Sequence, residues 1–161
     1  MENQFVYEEE DTQHGRYLSF HVDREVYALE IRYVTEIVGI QPITEVPESP
    51  DYVRGIINLR GSIIPVIDVR LKFRKPAIAY TDRTCIVVID IAGSAVGLIV
   101  DQVAEVVDIP DENIAPPPSY RTGFSTRYIS GIGKSGNDVK LLLDCQKLFS
   151  DAEMETLTTI E

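Results

Sequence analysis

The sequence predicts a mainly β protein: two small five-stranded barrel units related by internal duplication, with short helices and one C-terminal helix. Three observations carry that expectation. Apolar residues alternate with a period of two through most of the chain, the second half repeats the first at a fixed offset, and only the last residues read as an independent helix.

The elements follow in order. Tyr17–Val22 sets Leu18, Phe20 and Val22 on one face, and Glu25–Ile31 sets Tyr27, Leu29 and Ile31 on another, with Asp23–Arg24 as the tight turn between them. Arg32–Val38 reads as a short helical turn. Pro42, Pro47 and Pro50 divide the next stretch into extended pieces, because proline fixes φ and removes an N–H donor. Val53–Leu59 and Ile63–Val69 are β-branched runs joined through Asn58-Leu59-Arg60-Gly61-Ser62, a hairpin. At the far end Ser150 is the expected N-cap of a helix over residues 150–158, with Asp151 and Glu153 in the first turn, where the helix dipole favours acids.

The repeat is gapless over its best part. Gly55-Ile56, Asp68 and Phe73 recur as Gly131-Ile132, Asp144 and Phe149, each displaced by 76 positions. Upstream, Tyr52-Val53 matches Tyr128-Ile129, Glu36-Ile37-Val38 resembles Glu105-Val106-Val107, and the Pro47–Pro50 segment resembles Pro116–Pro118. The organisation expected is an acidic flexible tail over 1–15 and one domain over 16–155. Its subdomains would span 16–80 and 81–149, with the helix after them. Units of this size bury little surface alone, so the two should share a core and leave a groove between them, a common place for binding.

Charge narrows the function. The chain carries −11 overall, of which −4 lies in residues 1–16 and −4 in residues 150–161, so the body is nearly neutral. Phosphate-backbone binding needs clustered positive charge. The one basic cluster, Arg70, Lys72, Arg74 and Lys75, is short and reads as a solvated segment. No apolar run approaches a bilayer span and no secretory signal is visible at the start, so a cytoplasmic location is expected. Cys85 and Cys145 share no metal-type spacing and read as buried free thiols.

Catalytic constellations are not apparent. Asp68 and Asp144 in equivalent places invite an aspartic-protease reading, but that chemistry needs small residues after each aspartate, and here Val69-Arg70 and Cys145-Gln146 follow. Each Asp instead ends a strand and caps a one-turn helix. His14 lies in the acidic tail and His21 faces opposite Phe20, neither with a nucleophile in a recognisable pattern. Gly131-x-Gly133-x-x-Gly136 opens no helix and reads as a hairpin rather than a dinucleotide site. No catalytic residue, metal site or cofactor is therefore expected. What remains is the Asn58–Gly61 turn, whose counterpart is Lys134-Ser135-Gly136-Asn137: the repeat keeps the strands and changes the loop. An arginine with apolar flanks at a barrel edge makes a good interface anchor.

The run from Gly55 through Asn58-Leu59-Arg60-Gly61 to Asp68-Val69-Arg70 resembles the CheW family of bacterial chemotaxis coupling proteins. It is supported by Tyr27-Ala28-Leu29, Glu36-Ile37 and Val96-Gly97-Leu98-Ile99-Val100-Asp101. The resemblance covers roughly residues 16–155. It implies two SH3-like barrels and a non-enzymatic adaptor between the histidine kinase CheA, through its regulatory domain, and the cytoplasmic tips of methyl-accepting chemoreceptors, recruited to receptor arrays at the inner membrane. Carried over by position, it implies a receptor-facing groove at Val34, Glu36, Gly55, Asn58, Leu59, Arg60 and Gly97. It implies kinase contacts at Arg70 and Lys72 and at Val103 and Val106. An adaptor of a related non-flagellar array and an OB-type nucleic-acid-binding barrel are the alternatives. The second would need basic strands with interleaved aromatics, and the charge speaks against it.

Overall fold

The computed structural model describes residues 13–117 and 127–160. Most of the expected acidic tail, and Pro118, lie outside the described residues. The strands are β1 (Arg16–Val22), β2 (Glu25–Glu30), β3 (Val34–Gly39), β4 (Val53–Leu59), β5 (Ser62–Asp68), β6 (Cys85–Ile91), β7 (Ser94–Val100), β8 (Gln102–Asp108), β9 (Ile114–Ala115), β10 (Ile129–Ser135) and β11 (Asp138–Leu143). Helix α1 (Val69–Lys72) follows β5 and helix α2 (Asp151–Ile160) closes the described chain. Ser150 caps α2 in a reciprocal box: its hydroxyl accepts from the Glu153 N–H at 3.1 Å, and its own N–H donates to the Glu153 carboxylate at 3.0 Å. The stretch expected to be helical over 32–38 is instead a single 3-10 turn, Ile31–Tyr33, leading into β3. A bulge between Val34 and Glu36 disguises the alternation there.

Two sheets form, ordered β8-β1-β2-β11-β10-β9 and β3-β6-β7-β5-β4. Mapping β6, β7, β3, β5 and β4 onto β1, β2, β8, β11 and β10 makes the orders identical, so the duplication is structural as well as sequential. Details agree with the offset of 76: register shifts fall at Val53/Gly55 and at Ile129/Gly131. The Thr44 bridge to Ile56 is matched by Ala115 opposite Ile132. Asp68 N–H donates to the Tyr52 carbonyl at 2.8 Å, and Asp144 N–H to the Tyr128 carbonyl at 2.9 Å. These bridges bring chain beyond one edge strand against the other and close each sheet into a barrel.

The sheets do not follow the 16–80 and 81–149 division. Each repeat lends its first hairpin to the other: β1–β2 sit between β8 and β11, while β6–β7 sit between β3 and β5. The contacts β2·β11 and β5·β7 are parallel, and parallel neighbours cannot be joined by a tight turn, so the partner strand must arrive from elsewhere in the chain.

Alternation along these strands sorts side chains into three layers. Ile57, Ile64, Val66, Ile86, Val88 and Ile99 fill one barrel, and Tyr17, Ala28, Ile109 and Leu142 fill the other. Phe20, Tyr27, Leu29, Ile67, Phe73, Val87, Ile89, Leu98, Leu143 and Phe149 belong to the shared core between the sheets. An aromatic chain, Phe20–Tyr27–Phe73–Tyr128, links the repeats with ring centroids 6.0, 5.2 and 5.6 Å apart. The space expected to be a groove is, at its centre, this core.

Candidate functional site

The residues that the turn comparison singled out lie where one barrel closes. β3 and β4 are the two edges of their sheet, and the Arg60 guanidinium, at the tip of the β4–β5 hairpin, is bonded to the Glu36 carboxylate on β3. The turn has two residues, Arg60 at φ +53° and Gly61 at φ +89°, a left-handed pair suited to strand twist. Asn or Gly is preferred at the first position, and a side chain such as arginine held there costs roughly 1 kcal/mol. Asn58 steadies the turn by accepting from the Gly61 N–H at 2.9 Å. The arginine side chain is 69% exposed and that of Glu36 30%, so the pair itself adds little stability. Strain is thus kept at an exposed, charged point.

Around it, Leu59 packs half-buried on the barrel core and Val34 on the shared core. Ile37 and Ile63, both exposed, add apolar surface that the sequence reading did not single out. A cavity of about 330 Å³ beside the hairpin is lined by Gln41, Pro42, Thr44, Ile56, Ile57, Asn58 and Ile63. Gly55 and Gly97 are set apart from this surface. Gly55 is buried at φ +145°, and a Cβ there would overlap the Thr44 carbonyl that closes the barrel. A Cβ at Gly97 would come within 2.8 Å of both Ile86 and Val66. Both glycines serve close packing under the site.

The basic segment after Asp68 is not a solvated run: Arg70 and Lys72 are each only 7% exposed. The Arg70 guanidinium donates to the Pro76 carbonyl at 2.9 Å and to Asp101 at 2.7 Å, and reaches Asp23 at 3.4 Å, tying three loops together. Lys72 points its ammonium at three rings, 4.3 Å from the centroid of Tyr52, 5.1 Å from Phe149 and 5.2 Å from Tyr128. The Glu153 carboxylate on α2 completes that cage, accepting from both Lys72 and the Tyr52 hydroxyl. Burial alone would raise the Glu153 pKa, but the bonds from Lys72 and Tyr52 outweigh it and hold the group down to about 2. Val103 packs half-buried on the shared core, and Val106 is 54% exposed on β8, an edge of its sheet. The two parts of the expected kinase surface therefore differ in kind, one buried and one open.

The paired aspartates are separately engaged. Asp68 accepts from the Arg70 N–H at 2.9 Å and from the Tyr80 hydroxyl at 2.9 Å, and Asp144 accepts from the Gln146 N–H at 2.9 Å. Tyr80 stays a donor, its pKa pushed up to about 12 by burial and by Asp68. Each aspartate thus begins a short turn, as the protease alternative does not require. Among the described residues no three His, Cys, Asp or Glu side chains stand together so as to hold a metal ion, and no helix is long and apolar enough to cross a membrane.

Comparison with known proteins agrees with this geometry. The family model for the CheW-like domain matches residues 16–153. The chemotaxis protein CheW of Klebsiella aerogenes is 34% identical over 144 residues, covering 89% of this chain and 87% of that protein. The CheW of Treponema pallidum is 33% identical over 147 residues, 89% of this chain and 86% of its own length. The crystal structure of the scaffolding protein CheW from Thermoanaerobacter tengcongensis superposes with a TM-score of 0.78 at 37% identity, covering 84% of this chain and 92% of the other. With matching sheets and a family match over nearly the whole described fold, the chain belongs to the CheW-like domain family.

Proposed function

We propose that this protein is a non-enzymatic adaptor of chemotaxis signalling that couples the histidine kinase CheA to methyl-accepting chemoreceptors. Family membership supports the adaptor role, as does a solved relative described as a scaffolding protein. The observation that carries the site is the strained, exposed Arg60 fastened to Glu36. An arginine at the left-handed position where the second copy has Gly136 adds an exposed charge at no gain to folding, which supports a contact made outside the chain. The receptor contact is the Val34, Glu36 and Asn58–Arg60 surface, with Gly55 and Gly97 shaping the backbone beneath it. The open kinase contact is β8 at Val103 and Val106, while Arg70 and Lys72 act from within by fixing the loops that flank the barrels.

Purified chain mixed with kinase and receptor-tip fragments is expected to bring both down together and to change kinase turnover only when receptor is present. The chain alone with ATP is expected to acquire no phosphate. Labelling of the isolated chain, or failure to capture either partner, refutes the adaptor reading.

A further inference from the structure

Among the described residues, neither half of the chain holds a barrel of its own. Residues 16–73 contain only the pairings β1·β2 and β4·β5 and the Thr44–Ile56 bridge. Residues 85–160 contain only β6·β7, β10·β11 and β9·β10. Every ladder that joins the hairpins runs between the halves: β1·β8, β2·β11, β3·β6 and β5·β7. A lone hairpin is marginal in water, so each half depends on the other for its fold.

The halves are joined once, through residues 74–84. That connection forms no helix or strand, and Pro76, Ala77, Ile78 and Ala79 are all exposed. It is fastened near its ends to residues of the first half, by Arg70 to the Pro76 carbonyl, by Lys75 to Glu25 and Asp23, and by the Tyr80 hydroxyl to Asp68 and Arg54. Extended, a link of this length reaches about 36 Å. None of the four joining ladders requires that both halves come from one covalent chain.

We propose that residues 74–84 are a swap hinge whose partner is a second copy of this chain. Two copies exchange their 85–160 halves, so that each barrel pair combines residues 16–73 of one copy with 85–160 of the other. The closed monomer and the exchanged dimer use the same ladders, so the hinge and the local concentration set their balance. A short flexible link gives the closed form an effective concentration of order millimolar, so dilute chains close on themselves and crowded ones exchange.

The test uses the full chain with a protease recognition sequence inserted between Ile78 and Ala79. Refolded over a range from micromolar to millimolar, it is expected to give a dimer whose share grows with concentration and persists on dilution, because reversal requires the barrels to open. Cutting the hinge is expected to convert that dimer, by light scattering, to particles near the monomer mass of 18.1 kDa that retain both fragments. The cut monomer is expected to keep its mass and its circular-dichroism spectrum at high concentration, with a melting temperature that now depends on concentration. Three results overturn the proposal: fragments of the cut monomer separate or lose structure, no dimer forms at millimolar concentration, or the dimer keeps its mass after cutting and is therefore an ordinary surface contact.

Discussion

Replacing Glu153 by glutamine isolates the charge that seats the C-terminal helix. Glutamine is nearly isosteric and still serves the capping box with Ser150, so what is lost is the counter-charge to the buried Lys72 ammonium. The folded-state pKa of Glu153 is about 2 against an ordinary 4.5, and at about 1.4 kcal/mol per pKa unit this corresponds to roughly 2–3 kcal/mol, allowing for its partial exposure. For a chain of this size that predicts a fall in Tm of about 4–12 °C at pH 7. The pKa is lowered on folding, so the contribution is fully present above 4.5 and is lost as pH falls towards 2. The gap between wild type and E153Q should therefore be constant from pH 7 to pH 5 and shrink by more than half by about pH 3. Lys72→Met keeps the stem against the rings, and the double variant should cost less than the sum of the two. Thermal melts across this range, followed by circular dichroism, decide the matter. A Tm deficit that does not change between pH 7 and pH 3, or the absence of any deficit, refutes the reasoning.

Three further outcomes are expected. Arg60→Ala should leave Tm nearly unchanged and weaken binding to a receptor-tip fragment about thirtyfold by titration calorimetry; Arg60→Gly should weaken it equally while gaining up to about 1 kcal/mol of stability, because it relieves the left-handed backbone. Equal affinities for wild type and both variants would reduce the hairpin to a turn. Gly55→Ala should cost about 3 kcal/mol or more, since a side chain there meets both an unfavourable φ and the Thr44 carbonyl, and a melt within a degree of wild type would contradict the closure mechanism. Iodoacetamide at mildly alkaline pH should label the half-buried Cys85 and spare Cys145, whose thiol burial pushes up to about 12; mass spectrometry showing equal labelling would place Cys145 nearer the surface.

The strands were legible because alternation is a local signal, and the duplication was legible because Gly55, Asp68 and Phe73 repeat without a gap. Which strands pair was not. The offset aligns the two units but says nothing about whether β1–β2 completes its own sheet or the other, since that depends on the parallel contacts β2·β11 and β5·β7 formed across the whole fold. β3 was misread because a bulge interrupts its period. The burial of Lys72 had a signal that charge obscured: at an offset of 76 it aligns with Leu148, a fully buried residue, while its ring partner Tyr52 and its chain neighbour Phe73 align with Tyr128 and Phe149. Reading the repeat for environment rather than for identity would have placed the lysine inside. Arg60 stood out because the turn is where the copies diverge, whereas Glu36 came with the resemblance, and the structure brings the two together. Gly55 and Gly97 came with the resemblance, and their close packing could not be read from one dimension.

The two copies within one chain also serve as an internal control. Positions that match, Gly55 with Gly131, Tyr52 with Tyr128 and Asp68 with Asp144, make equivalent bulges, backbone bonds and caps in both barrels, and these are demands of the fold. Positions that differ mark what one barrel does and the other does not. Arg60 stands where Gly136 takes the same left-handed turn, at φ +53° against +63°, so the hairpin sets the backbone and the charged tip is the addition to one barrel. Lys72 stands where Leu148 fills the core, so seating α2 through Glu153 belongs to one side only. The third difference runs the other way: Ile64, paired with Ile57, becomes Lys140 paired with Gly133. Lys140 is buried at 4% exposure, and a Cβ on Gly133 would press on Ile109 at 3.0 Å. The small residue leaves room that Ile109 and Leu142 fill, and the second barrel buries a lysine at the position where the first has Ile64. Of these three differences two are buried lysines, and the Arg60 tip alone is an exposed charge that distinguishes the surface of one barrel from that of the other.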